Sequence, residues 1–110
     1  IQARKTRTDV FVHHKKATSE MLVPNVLNKK MMPTMIKIAK GGNTHNEETR
    51  PGIEKFAYVL DGKVEANIGK ERYTLGRGDT LYFESSAPHY FRNAGAGVAR
   101  LICVITPPAL

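Results

Sequence analysis

The sequence has one cysteine, no long apolar run and no glycine-rich motif with the spacing of a phosphate-binding loop. The single Cys103 excludes a disulfide within the chain, and its place in the apolar run 101–105 indicates a buried side chain and a reducing compartment. No segment approaches the roughly 18 apolar residues of a membrane span, and the basic N-terminus lacks the apolar centre of a signal peptide. These absences predict a cytoplasmic protein that has no membrane partner.

Positive charge is concentrated in the first third of the 110 residues. Residues 1–40 contain nine Lys or Arg against Asp9 and Glu20, whereas residues 41–110 contain eight residues of each sign. A basic flank of this kind steers a chain toward nucleic acid or another polyanion. The alternative is that these side chains solvate edge strands and loops, where they also discourage edge-to-edge pairing.

The recurring hydrophobic period is two. Short alternating segments separated by turn residues predict one all-β domain, an antiparallel sandwich or barrel, with basic strands and a loop in 1–40 and the core barrel in 41–110. The segments are 34–40, 56–60, 63–68, 72–75, 80–83, 89–92 and 98–105. Asp61-Gly62 predicts a hairpin between the second and third of them.

The loops and the remaining histidines complete this prediction. The turn-rich stretches 24–30 and 41–52 are long enough to form the rim of a pocket or mobile lids. His13 and His14 are adjacent, so they point to opposite faces of a strand, and we expect both at the surface. No segment has the period of an amphipathic helix.

The stretch from Gly78 to Asn93 combines a turn, a strand, a second turn and a strand that begins with His89. This order and spacing resembles the second motif of the cupin family. In this chain, Glu84 and Ser86 stand where the family usually has Pro and Gly. The resemblance implies a cupin-like jelly-roll, a conical antiparallel β-barrel. In cupins this histidine points into the barrel and often binds a metal.

Further segments extend the resemblance over nearly the whole chain. Residues 51–62 are similar to the second half of the first cupin motif, and residues 72–83, 88–93 and 104–108 resemble the C-terminal cupin domain of helix-turn-helix transcription regulators. The resemblance implies a small-molecule sensor that contacts DNA only through an upstream domain, which is not in this chain. A first residue other than Met agrees with a piece of a longer protein. We also expect a homodimer in which segments 8–12 and 21–23 extend a neighbour's sheet.

The sequence departs from the cupin pattern at the metal ligands. Counting back from Gly62, the usual glutamate position holds Lys55, and Glu54 lies one residue early, on the opposite face unless a bulge intervenes. Three alternatives remain for His89: a metal ligand, a pocket histidine without a metal, or a hydrogen-bonded histidine without any ligand. The candidate ligands for a divalent transition metal are His89, His45 and Glu54, or Glu47 or Glu48 from the loop.

Lys55 predicts a pocket for an anion. Its ammonium would project into the barrel beside His89, and a buried cation is costly unless it is paired. The alternative is that Lys55 and Glu54 lie on a solvated strand end. The candidate ligand-binding residues are Lys55, His89, Arg50, Tyr82 and Phe91, together with Phe56 or Ala57.

Three classes of function remain open on these residues. The first is a sensor domain of a bacterial or archaeal transcription regulator that binds a small anionic metabolite and needs no cofactor. The second is a small cupin enzyme, an isomerase, lyase or dioxygenase, that acts on a carboxylated metabolite with a degenerate metal site. The third is a non-catalytic assembly or storage module.

Overall fold

A computed structural model describes Ala3, residues 10–13 and residues 15–109. These residues form nine strands and one short 3-10 turn, at Val26–Asn28, and none of them is in an α-helix. No helical segment of this part of the chain is long and apolar enough to cross a membrane. The strands are β1 (Val10–His13), β2 (Lys15–Met21), β3 (Met32–Asn43), β4 (Glu54–Asp61), β5 (Val64–Ile68), β6 (Glu71–Leu75), β7 (Thr80–Glu84), β8 (His89–Asn93) and β9 (Ala99–Thr106).

The strands form a nearly closed antiparallel β-barrel. Their order is β6-β5-β8-β3-β9-β4-β7, with β2 on β3 and β1 on β2. β3 connects the two walls, because its first part pairs with β9 while Asn43 at its end pairs with Arg92 of β8. The predicted all-β antiparallel barrel is therefore confirmed.

The turn at Asp61-Gly62 joins the two walls of the barrel. β4 pairs with β7 and β9, whereas β5 pairs with β6 and β8, so the predicted hairpin between β4 and β5 is wrong. The glycine itself is required, since its φ is +82° and a Cβ there would lie 2.9 Å from the Cα of Ala99. An Asp-Gly pair indicates the backbone of a turn, and it does not specify which strands pair.

The barrel interior is closed and apolar at the end near this turn. Ile38, Val59 and Leu101 are fully buried there, and each such side chain stabilises the fold by roughly 1.5–3 kcal/mol. The side-chain amide of Asn93 donates to the carbonyls of Ile38 and Gly97 at 2.9 and 2.7 Å. It ties β8 to β3 without leaving a polar atom unpaired.

The N-terminal strands depart most from the sequence-based prediction. β2 has the polar sequence KKATSEM, whose pattern gave no strand signal, and it is held by pairing with β1 and β3. Lys16, Lys29, Lys30, Lys37 and Lys40 of the basic flank are all exposed. Arg4, Lys5, Arg7 and His14 lie outside the described residues, and so does the start of the predicted strand 8–12.

Candidate functional site

A cavity of about 800 Å³ opens at the other end of the barrel. β1 to β4, β8 and β9 contribute side chains to its wall, and loop residues 46–50 lie at its rim. Met32, Ile105 and Phe91 supply apolar surface, while Lys55 is a buried charge in the wall. The cavity is in the size range of small-molecule sites.

Lys55 lies inside the barrel, with only 3% of its surface exposed. Strand β4 alternates without a bulge at this point, pairing Lys55 with Phe83 on one side and Ile105 on the other. The ammonium nitrogen is 2.7 Å from Nε2 of His89 and 3.5 Å from a carboxylate oxygen of Glu47. The alternation that places Ala57 and Val59 in the core also places this cation there.

The hydrogen bonds of His89 define its tautomer. Nδ1 is 2.8 Å from the carbonyl oxygen of Ala87, and because a carbonyl only accepts, Nδ1 carries the proton. Nε2 therefore accepts a hydrogen bond from the ammonium of Lys55. Burial of the ring, which is 1% exposed, and the charge of Lys55 both lower the pKa of His89. The imidazole is thus neutral at physiological pH.

The predicted metal ligands do not converge. Glu54 is on the outer face of β4 and accepts a hydrogen bond from the hydroxyl of Tyr82 at 2.6 Å, whereas His45 contacts His13. Among the described residues, no three His, Cys, Asp or Glu side chains lie close enough together to hold a metal ion. The Nε2 lone pair of His89 is occupied by an ammonium, so these residues do not fit a His and Glu metal centre.

The predicted pocket residues are divided between the two faces of the sheet. Lys55, Arg50 and Phe91 line the cavity, while Tyr82 is 61% exposed and pairs across β4 and β7 with Phe56, which shares its outward face. On β7, the inward neighbour of Tyr82 is Phe83, whose ring centroid lies 5.3 Å from that of His89. Since Lys55 pairs with Phe83, correct strand pairing would have identified Phe83.

The loop between β3 and β4 is attached to the barrel by several hydrogen bonds. The backbone groups of Glu47 and His89 bond to each other in both directions, at 2.8 and 2.9 Å. The hydroxyl of buried Ser85 donates a hydrogen bond to the carbonyl of Ile53 and accepts a hydrogen bond from the hydroxyl of Thr49 at 2.6 Å. These contacts hold Glu47 near the nitrogen of Lys55. They also keep loop residues 46–50 at the rim of the cavity, in agreement with the prediction of a pocket rim within 41–52.

A contact between His13, which lines the cavity, and His45 of the loop was not predicted from the sequence. His13 is 4% exposed, so the expectation of a surface position was wrong for it. Its Nδ1 accepts from the backbone N–H of His45 at 3.0 Å and lies 2.6 Å from Nδ1 of that ring. Since Nδ1 is an acceptor, Nε2 carries the proton and donates to the hydroxyl of Ser19 at 2.8 Å. The pairing of β1 with β2 creates this contact, and strand alternation alone does not indicate it.

Cys103 also lines the cavity, on β9. The thiol is free and almost fully buried, as the sequence predicted. Burial raises the pKa of Cys103 to about 11, so the group remains a protonated thiol at neutral pH. Its role in the wall is that of a small apolar side chain.

Comparison with known proteins identifies relatives with this fold. The HTH-type transcriptional regulator PuuR of Escherichia coli strain K12 is 26% identical over 99 residues, which cover 90% of this chain and 54% of the regulator. The chain therefore spans about half the length of that relative.

Solved structures agree on the architecture. The Cupin_2 domain of an XRE family transcriptional regulator from Enterobacter cloacae superposes with a TM-score of 0.77 at 22% identity, covering 86% of this chain and all of that one. A predicted oxalate decarboxylase from Thermotoga maritima gives a TM-score of 0.79 at 15% identity, covering 96% and 97% of the two chains. At these identities the likeness concerns the fold alone. The Cupin_2 profile of cupin domains matches residues 34–105, more than half of the chain, and the protein belongs to this family of cupin domains.

Proposed function

We propose that this cupin domain is the small-molecule sensor of a transcription regulator and that its ligand is a small carboxylate. The observation that carries the proposal is the buried ammonium of Lys55 in the cavity wall. His89 supports this nitrogen from behind as a neutral acceptor, at 2.7 Å. A neutral imidazole does not balance the charge, which leaves the cation available for an anion.

The carboxylate of Glu47 is an incomplete counterion for Lys55. It is 46% exposed, and its 3.5 Å separation from the ammonium nitrogen is longer than a charge-assisted hydrogen bond of about 2.7–2.9 Å. A ligand carboxylate that approaches to that distance inside the cavity would bind the cation more strongly than Glu47 does. Arg50, exposed at the rim, supplies a second positive charge along the entry path.

A thermal-shift screen of simple carboxylates tests the ligand class. At a hundredfold excess over its dissociation constant, a ligand stabilises the folded state by about 2.7 kcal/mol, and acetate, lactate and succinate are suitable probes. Lys55→Met should abolish the shift, and Lys63→Met, which removes an exposed lysine of equal charge, should leave it unchanged. Equal shifts in the two variants would rule out Lys55 as the anion-binding group.

The regulator assignment is supported by the similarity to PuuR over 90% of this chain. We propose that base-specific DNA contacts belong to a separate domain of the full regulator and that residues 1–110 contact only phosphates. The basic flank then binds unrelated duplexes with similar affinity, and each neutralised phosphate makes that affinity fall steeply as salt rises. A salt titration on several duplexes measures this, and sequence-selective binding by residues 1–110 would contradict it.

A further inference from the structure

We propose that Lys55 binds its ligand covalently, as a protonated imine formed with the carbonyl carbon of a 2-oxo acid. This inference rests on the anion pocket proposed above and names the chemical class of its ligand. It assigns to Lys55 the role of a nucleophile, in addition to that of a counterion.

The first support is the direction of the hydrogen bonds at the nitrogen. One N–H of Lys55 points to Nε2 of His89 at 2.7 Å, and because Nδ1 of that ring donates to Ala87, Nε2 is an acceptor. A second N–H is directed to Glu47, whose carboxylate oxygen is 3.5 Å away, and the third has no acceptor among the described residues. His89 thus orients the nitrogen of Lys55 by accepting a hydrogen bond from it.

The second support is a group that can move protons on the cavity side. The carboxylate of Glu47 is 3.5 Å from the nitrogen, and paired backbone hydrogen bonds hold residue 47 against His89. Imine formation requires protons to pass from nitrogen to oxygen, and a positioned carboxylate provides that route. Glu48 lines the same cavity but makes no described ion pair with Lys55, which makes it a matched control.

The reaction balances without an added reagent. Glu47 takes one proton from the ammonium, the nitrogen lone pair attacks the carbonyl carbon, and the proton passes to the carbonyl oxygen. A second proton follows the same path from nitrogen to the new hydroxyl, the C–O bond breaks, and water leaves as the C=N bond forms. The product keeps one N–H and one positive charge, and this N–H donates to His89 as the ammonium did. No oxidant or reductant takes part.

The cavity favours a 2-oxo acid over a simple aldehyde. The carboxylate next to the carbonyl would meet the charge of the iminium and that of Arg50 at the rim. Met32, Ile105 and Phe91 offer an apolar wall to a short side chain. Burial of the nitrogen limits access of water to the imine, whereas an exposed lysine forms imines that hydrolyse readily.

Reductive trapping tests the inference. The purified chain is incubated with pyruvate and sodium cyanoborohydride near neutral pH, and the modified lysines are located by peptide mass spectrometry. We expect the adduct mainly on Lys55, with Lys63 and the other exposed lysines giving the background. Lys55→Arg keeps the charge but cannot form an imine, so only the background should remain.

The role of Glu47 has its own measurement. Glu47→Gln should slow trapping at Lys55 by about 100-fold or more, the usual range for a positioned acid or base, and Glu48→Gln should leave the rate unchanged. Equal effects of the two variants would exclude Glu47 as the proton carrier.

Lactate separates this inference from the proposed function, because it has the carboxylate and no carbonyl. Stabilisation by lactate without trapping of pyruvate at Lys55 would overturn covalent capture and leave the anion pocket standing. Trapping at Lys55 without stabilisation by lactate would support capture and contradict the anion pocket. Trapping spread evenly over exposed lysines would overturn the inference.

Discussion

The two ends of the barrel interior are built on the same strands but have opposite chemistry. At the end near Asp61-Gly62, Val59 and Leu101 pack in a dry core with Ile38. Four residues back along β4, Lys55 occupies the equivalent inward position beside His89. Strand alternation turns residues inward at both ends of the barrel. An inward position at the open end therefore does not have to hold an apolar side chain.

One barrel thus provides both a stabilising core and a candidate site. The closed end contains apolar side chains, which give up no hydrogen bonds when they leave water. The open end contains a cation, whose burial is tolerated because Nε2 of His89 accepts a hydrogen bond from it. Substitutions at the closed end should therefore change the free energy of unfolding. Substitutions at the open end should change the pKa of His89 and the binding of ligands.

The largest expected effect is at the closed end. Leu101→Ala removes a fully buried side chain and leaves a cavity, so the free energy of unfolding should fall by about 2–5 kcal/mol in a denaturant titration. Val98, three residues earlier in the chain, is half exposed, and Val98→Ala should change this free energy by less than about 0.5 kcal/mol. Similar losses at the two positions would show that the closed end is not the stabilising core.

The next effect is the pH dependence of stability at the open end. The unfolded chain protonates His89 near its ordinary pKa of 6.5, whereas burial and Lys55 lower the pKa in the folded state. Between these values the unfolded state binds more protons, so this contribution is complete above about pH 6.5 and is lost as the pH falls toward the folded pKa. Unfolding titrations from pH 8 to pH 5 measure it.

Lys55→Met tests whether the two buried groups at the open end interact. Removing the charge removes one cause of the lowered pKa and keeps the larger one, burial, so the pKa of His89 should rise part of the way toward 6.5. NMR titration of the imidazole reports the change directly. An unchanged pKa of His89 in this variant would show that the two groups do not interact in solution.

Metal binding gives a further contrast. With Nε2 of His89 occupied by Lys55, the chain should take up zinc or nickel at well below one equivalent, as measured by elemental analysis after dialysis. Stoichiometric metal that is lost in His89→Ala and retained in His45→Ala would show that Lys55 leaves the site when a metal binds.

The smallest effect is expected on the outer face. The Tyr82 hydroxyl donates to Glu54 in an exposed hydrogen bond, and water competes for both groups there, so the contact contributes little to stability. Tyr82→Phe should therefore leave both stability and carboxylate binding almost unchanged in the thermal-shift assay. A loss of ligand response would indicate that the outer face belongs to the site.

Features that belong to one short segment were predictable from the sequence. The period of two predicted strands β3 to β9, and it placed Glu54 and Lys55 on opposite faces. The apolar run 101–105 predicted the buried Cys103, and the cupin spacing counted back from Gly62 indicated an inward Lys55 as one of two alternatives. The spacing from Gly78 to Asn93 also indicated the family correctly. Each of these features is a property of one short segment, which is why one segment sufficed to predict it.

The contacts between distant segments were evident only in the folded structure. It showed that Asp61-Gly62 separates two walls, that Phe83 and not Tyr82 faces His89, and that Glu47 reaches Lys55. The contact between His13 and the loop likewise depends on the pairing of a polar strand, β2. Pairing between distant segments is set by the closure of the whole barrel, and local hydrophobic period carries no information on it.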